Sequence, residues 1–208
     1  MFQPTIFREE RTAVMHALMR AHPFATLVSY ATGGLTADHV PLVLHAEVGE
    51  QGALRGHVAA GNPLFRETEG AVDVLAIFQG PQTYVHPGWY ASKAEHGKVV
   101  PTWNYAVAHA RGRLRFIRDT EWVVAHLHAL TAQHESHRPA PWAVSDAPAD
   151  FVARQLKGLV GFEIAIEALE GTWKVSQNKH EADRAGVVAG LDAEGGEDVA
   201  ALVRERGR

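Results

Sequence analysis

The apolar residues of this chain fall into short extended runs punctuated by turn signals, and that spacing limits the fold more than any other feature. Residues 24–30 (FATLVSY), 35–44 (LTADHVPLVL), 53–59 (ALRGHVA), 72–78 (VDVLAIF) and 159–166 (LVGFEIAI) are rich in strand-forming side chains. Gly33-Gly34 joins the first two as a hairpin. Gln79-Gly80-Pro81 reads as a break, with a further strand over 82–86. Residues 88–98 read as a loop. Residues 99–117 form a long extended region, bent near Asn104. Its end alternates, with Arg111, Arg113 and Arg115 on one face and Leu114 and Phe116 on the other. Residues 171–175 extend the last strand after a turn.

Helical spacing is confined to a few segments. These are 9–21, a short turn beginning at Asn62-Pro63, 120–136 capped by Asp119, 148–157 with Pro148 in its first turn, and 179–207 interrupted at Gly195-Gly196. The strands do not alternate regularly with helices, which argues against a doubly wound parallel sheet. The pattern predicts a mainly β chain with peripheral helices (α+β), as a closed antiparallel barrel.

The 208 residues include no cysteine, which excludes a disulfide framework, a thiolate metal site and a cysteine nucleophile. There are 13 histidines, but no HExxH motif. His126 and His128 are two apart on a helix and do not share a face. No metal site is predicted, and most histidines are read as surface or hydrogen-bonded structural residues. His39 and His57 lie in strands, where an imidazole can donate to a bound phosphate or to the edge of a planar cofactor. Glycine-rich dinucleotide loops, the P-loop and the GxSxG elbow are all missing. Charges at Arg8, Glu9, Glu10 and Arg11 interrupt any signal-peptide core, and no apolar stretch is long enough to span a bilayer. The expectation is a cytoplasmic protein with no membrane association.

The formal net charge is −4, yet residues 86–118 carry six basic side chains against the single acid Glu95. Lys93, Lys98, Arg111, Arg113 and Arg115 therefore form a candidate anion or partner face. The alternative is a charged strand edge that blocks sheet-to-sheet aggregation. Tyr84, Trp89, Tyr90, Trp103 and Tyr105 lie in the same region and could stack on a planar ligand, although packing is the commoner use of such residues. Neither the charge nor any helix-turn-helix supports DNA binding, which is kept only as a possibility.

Residues 89–105 (WYASKAEHGKVVPTWNY) resemble the signature of the PaiB family, the FMN-binding negative transcriptional regulators. Residues 54–64 (LRGHVAAGNPL), 78–81 (FQGP) and 173–178 (WKVSQN) add to the resemblance, which runs from residue 7 to about 191. It implies an FMN-binding split β-barrel of the pyridoxamine-phosphate-oxidase type. The domain would cover 1–191, with inserted and C-terminal helices, followed by a charged tail over 192–208. It further implies a homodimer with flavin at the subunit interface and a role as a transcriptional repressor. In that arrangement Asp38, His39, Val40 and Pro41 line one side of the flavin. His57, Val58, Ala59 and Asn62 lie near its phosphate or ribityl chain, and Trp103, Asn104 and Tyr105 approach from the same or the partner subunit. The phosphate stretch HVAAGN has no cation before Arg66, so His57 and backbone N–H groups would have to replace one. Haem is the alternative cofactor. An FMN-dependent oxidoreductase that does not bind DNA is the alternative function, with no catalytic side chain identified.

Overall fold

The computed structural model describes residues 1–31, 33–67 and 70–206. Eight strands are present: β1 (Arg8–Glu9), β2 (Phe24–Ala31), β3 (Gly34–Pro41), β4 (Val43–His45), β5 (Ala53–Ala59), β6 (Ala71–Val85), β7 (Thr102–Ile117) and β8 (Leu159–Lys174). They follow the order β3-β2-β6-β7-β8-β5-β4, and β1 adds to β8. Among the described residues seven α-helices accompany them: α1 (Thr12–Ala21), α2 (Pro63–Arg66), α3 (Ser92–His96), α4 (Thr120–Glu135), α5 (Ala149–Leu156), α6 (Glu181–Ala193) and α7 (Glu197–Arg206).

The chain divides into two compact units, and the three longest strands each contribute to both. The first unit comprises Met1–Met15, Gln79–Ala108 and Glu170–Arg208, and the second His16–Phe78 and His109–Leu169. Three sequence expectations change here. β6 does not stop at Gln79-Gly80-Pro81 but runs on to Val85, and the point where it leaves one unit for the other is Phe78/Gln79. Proline lacks one N–H but its fixed φ suits an extended chain, so Gly80-Pro81 loses a ladder bond without ending the strand. β8 likewise continues unbroken from Leu159 to Lys174, with no turn before residue 171. The 88–98 segment is more ordered than a loop, since it holds a 3-10 turn (Pro87–Trp89) and α3.

In the second unit, β2 and β3 pair antiparallel from Phe24↔Pro41 to Ala31↔Gly34, and β2 pairs β6 from Thr26↔Ile77 to Ser29↔Val74. β5 pairs β8, setting His57 opposite Gly161 and Arg55 opposite Glu163. The buried faces of these strands supply Ala25, Leu27, Leu54, Val74, Ala76, Phe78, Leu114, Phe162 and Ile164. β7 alternates as its sequence predicts: Ala110, Gly112 and Leu114 are buried, while Arg111, Arg113 and Arg115 are exposed. Gly112 is required by its surroundings, because a Cβ there would lie 2.0 Å from the carbonyl oxygen of Ala165. Asp119 caps α4 through its side chain, accepting from the Trp122 N–H at 2.8 Å.

The core of the first unit joins Val85, Tyr90, Val175, Val187, Leu191, Val199, Ala200 and Val203. Residues 197–206 of the charged tail are thus a helix with a buried apolar face, while Gly207 and Arg208 lie outside the described residues. Glu9, 3% exposed, receives the Arg11 guanidinium at 2.8 Å and is also paired with Arg206 of α7. No helix among the described residues is long and apolar enough to cross a membrane.

Candidate functional site

In the first unit, two of the motif segments meet. The start of β7 carries PTWNY, and the end of β8 carries WKVSQN. Asn104 points inward, fully buried, and its Nδ2 donates to Ser176 Oγ at 2.9 Å. Ser176 is the only non-glycine residue with positive φ among the described residues, at 64°. A buried serine in that region of backbone space is strained, and strain of this kind collects at functional sites. The Asn104 contact holds it in place.

Lys174 lies two residues before Ser176. Its ammonium donates to the Trp103 carbonyl oxygen at 2.6 Å and to Thr102 Oγ1. Burial, and then the charge of Lys179, hold this amine below the usual lysine range. Among the described residues it forms no ion pair.

Trp103 and Tyr105 alternate with Asn104, so they face the opposite side of β7. The Trp103 side of the strand is open, with the residue 54% exposed. Tyr84 of β6 approaches its ring edge-on, with centroids 6.2 Å apart and an interplanar angle of 74°. Gln79, Gln82, Trp103, Tyr105, Ala106 and Val107 line a groove of about 310 Å³. That volume lies at the lower end of small-molecule sites, and the lining has the right character for a planar heteroaromatic ring: aromatic walls with a few amide groups for its polar edges.

The second unit gathers a different group. His57 on β5 faces His126 on α4, with Nδ1 and Nε2 3.2 Å apart. His126 also stacks on Trp122 at 5.7 Å and 19°. Gly161, opposite His57, admits the Trp122 ring, since a Cβ there would lie 2.4 Å from it. Arg55 lies over the Trp122 ring at 5.6 Å and pairs with Glu163 at 2.9 Å. Burial pushes both imidazoles down; for His126 the neighbouring His57 adds to this, bringing it to about 4.

The expected cofactor-lining residues are therefore distributed over both units. Asp38 and Asn62 do come together, Asn62 Nδ2 donating to Asp38 Oδ1 at 2.8 Å. Asn62 Oδ1 meanwhile caps α2 by accepting from the Leu64 N–H. His39 is exposed and sits beside the Phe24 ring at 6.2 Å, Pro41 is half-buried, and Ala59 is exposed. Val40 and Val58 are buried in the core. The basic residues separate as well. Lys93 and Lys98 are exposed in the first unit, while Arg113 and Arg115 in the second face Asp73 at 3.5 Å and Glu163 at 3.7 Å. Lys174 and Ser176 have no site role in the sequence, and His126 enters there only as a helical histidine that shares no face with His128. The first two were in view within WKVSQN, but only the fold shows what they touch.

Residues 1–168 match the family described as "Putative FMN-binding domain". An uncharacterized protein of Emericella nidulans is 33% identical over the whole of this chain and 98% of its own length. "Protease synthase and sporulation protein PAI 2" of Bacillus subtilis is 31% identical, covering 93% of this chain and 90% of its own. Among solved structures, an FAD and heme binding protein from Mycobacterium smegmatis superposes with a TM-score of 0.59 at 16% identity, over 80% of this chain and 73% of the other. The fold is thus a flavin-binding split barrel, and the chain belongs to the PaiB family of FMN-binding proteins, to which the Bacillus subtilis protein PAI 2 is related along almost its full length.

Proposed function

We propose that this protein is a homodimeric FMN protein in which the flavin ring lies against Trp103 on the outward face of β7 and a second copy covers the exposed side. The supporting observation is the open aromatic surface itself. Trp103 and Tyr84 are 54% and 43% exposed and meet edge-on, and Trp103 lines a ring-sized groove and belongs to the most distinctive motif of the chain. Exposed aromatic surface of this kind marks a ligand or partner site. When bound, FMN supplies hydride or electron transfer. The chain's own part is to bind the ring between Trp103 and Tyr105, meet its polar edges with Gln79 and Gln82, and exclude water on dimerisation.

The regulatory role that the family resemblance implies is read as acting through the flavin-bound dimer rather than through direct DNA contact. Arg113 and Arg115 already face carboxylates, and the chain is acidic overall. A DNA gel shift should be absent even at low salt, where non-specific electrostatic binding is strongest.

The test is an FMN titration followed by flavin fluorescence, with mass measured by light scattering. A flavin-loaded dimer, and loss of FMN from Trp103→Ala with the fold intact, are the expected results. A monomer without visible flavin absorbance after FMN is supplied would refute the reading, and a haem Soret band in the purified protein would redirect it. The same titration on His39→Ala and His57→Ala tests whether the residues of β3 and β5 belong to the cofactor site.

A further inference from the structure

Flavin nucleotides carry a phosphate dianion, and a protein that binds one must neutralise it with a cation or a set of N–H donors. The short helix α2, behind the HVAAGN stretch, offers one turn whose first N–H groups are already engaged by Asn62. A cation is present elsewhere, in WKVSQN. Lys174 is half-buried, and two of its three N–H bonds are fixed on Thr102 Oγ1 and the Trp103 carbonyl. The third meets no hydrogen-bond acceptor among the described residues, and the Phe7 ring lies 6.0 Å from the ammonium. No carboxylate among the described residues pairs with it, in a chain that has more acids than bases.

The charge that acts on it has the same sign. Lys179 lies over the Tyr90 ring at 4.6 Å, and its field and burial both disfavour the charged form of Lys174. Lys179 lies in turn in the field of the Asp183 carboxylate, so Lys174 is the one of the two cations that no acid offsets. An unpaired, half-buried ammonium is unfavourable unless something anionic completes it. The position is held firmly: the buried Asn104–Ser176 contact ties β7 to the segment two residues after Lys174. Preorganised cations of this kind bind oxyanions well, because little rotamer freedom is lost on binding.

We propose that Lys174 is the residue that holds the phosphate of the flavin nucleotide, with the ring placed against Trp103; the assignment rests on the flavin reading above. Lys174 is thus the cation missing from the HVAAGN stretch, supplied from the far end of the chain.

Comparing FMN with riboflavin, which has the same ring and no phosphate, tests the assignment. In fluorescence titrations, Lys174→Gln should bind FMN about 10- to 100-fold more weakly, the range expected for one charge-assisted contact. Riboflavin affinity should stay within about 2-fold, which also shows that the variant is folded. Lys174→Arg should retain most of the FMN affinity. With the unaltered protein, inorganic phosphate should compete with FMN and not with riboflavin. Equal weakening of both flavins by Lys174→Gln, or no weakening of either, overturns the assignment, as does phosphate that fails to compete. A wild-type protein that binds neither flavin overturns the flavin reading and this assignment with it, whereas a wild-type protein that binds both with equal affinity overturns only the role of Lys174.

Discussion

His57 Nδ1 and His126 Nε2 stand 3.2 Å apart beneath the Trp122 ring, so two imidazoles share a contact that neither can keep if both are charged. One proton between them satisfies it; two produce repulsion in a poorly solvated place. His126 is 3% exposed. The pair therefore joins α4 to β5 only while no more than one of the two rings is charged.

Stability should fall on mild acidification for this reason. Burial, with the charges of His57, His45 and Arg55 adding to it, depresses His126 from 6.5 to about 4. A histidine depressed in the folded state takes up its proton first in the unfolded chain. Its effect is absent above about pH 7, grows as pH falls through 6.5, and levels off near 4. The shift corresponds to roughly 3 kcal/mol over that window. Thermal melts at pH 7.5, 6 and 5 should show it. In His126→Phe, which keeps the stack on Trp122, the fall in Tm between pH 7.5 and 5 should be clearly smaller. An unchanged slope would mean that other groups govern the acid response.

Glu9 acts in a separate and lower window. Burial raises its carboxyl, but the hydrogen bonds from the Arg11 side chain and backbone and from Arg206 outweigh this and hold it at about 2. A depressed carboxyl stabilises the fold above its unfolded value near 4.5, and that contribution is lost as pH falls toward 2. Glu9→Gln should cost roughly 2–3 kcal/mol at pH 6. The difference from wild type should shrink steadily between pH 4.5 and 2 in urea melts. A difference that stays constant with pH would show that the arginines contribute packing rather than charge.

The Asn104–Ser176 contact is open to a double-mutant cycle. Each single change to alanine leaves a buried polar partner unsatisfied and should cost about 1–3 kcal/mol. Changing both removes donor and acceptor together, so the double variant should be more stable than the sum of the singles predicts, by about 1–2 kcal/mol. Additive costs would show that the strained Ser176 backbone is held by something other than Asn104.

Features set by local spacing could be read from the sequence. The arginine alternation of β7, the Asp119 and Asn62 caps and the interruption at Gly195-Gly196 all depend on residues within a few positions of one another. β6 was harder to read because Gly80-Pro81 is a strong local stop signal, and only pairing with neighbouring strands overrides it. The candidate site was visible as motifs and not as chemistry. Lys174 and Thr102 are 72 positions apart, and His57 and His126 are 69 apart. No period or cap links such positions, so the contacts of Lys174 and the pairing of His57 emerge only once strand order is known. The same holds for Gly161, whose lack of a side chain has no local explanation but makes room for Trp122.

Two glycines in α6 give the clearest contest between local and tertiary preference. Gly186 and Gly190 are four residues apart on one helix face, where alanine would be favoured by about 1 kcal/mol each. A Cβ at 186, however, would lie 2.0 Å from the Trp89 carbonyl oxygen, and one at 190 would lie 2.3 Å from the Trp89 ring. Backbone cannot move aside as a flexible side chain can, so overpacking should exceed the helical gain at residue 186. Gly186→Ala should be destabilised by roughly 1–2 kcal/mol net in urea melts. Gly61→Ala, with nothing within 4 Å of its added Cβ, should stay within about 0.5 kcal/mol of wild type. A more stable Gly186→Ala would show that α6 can withdraw from the 3-10 turn at residues 87–89 at little cost.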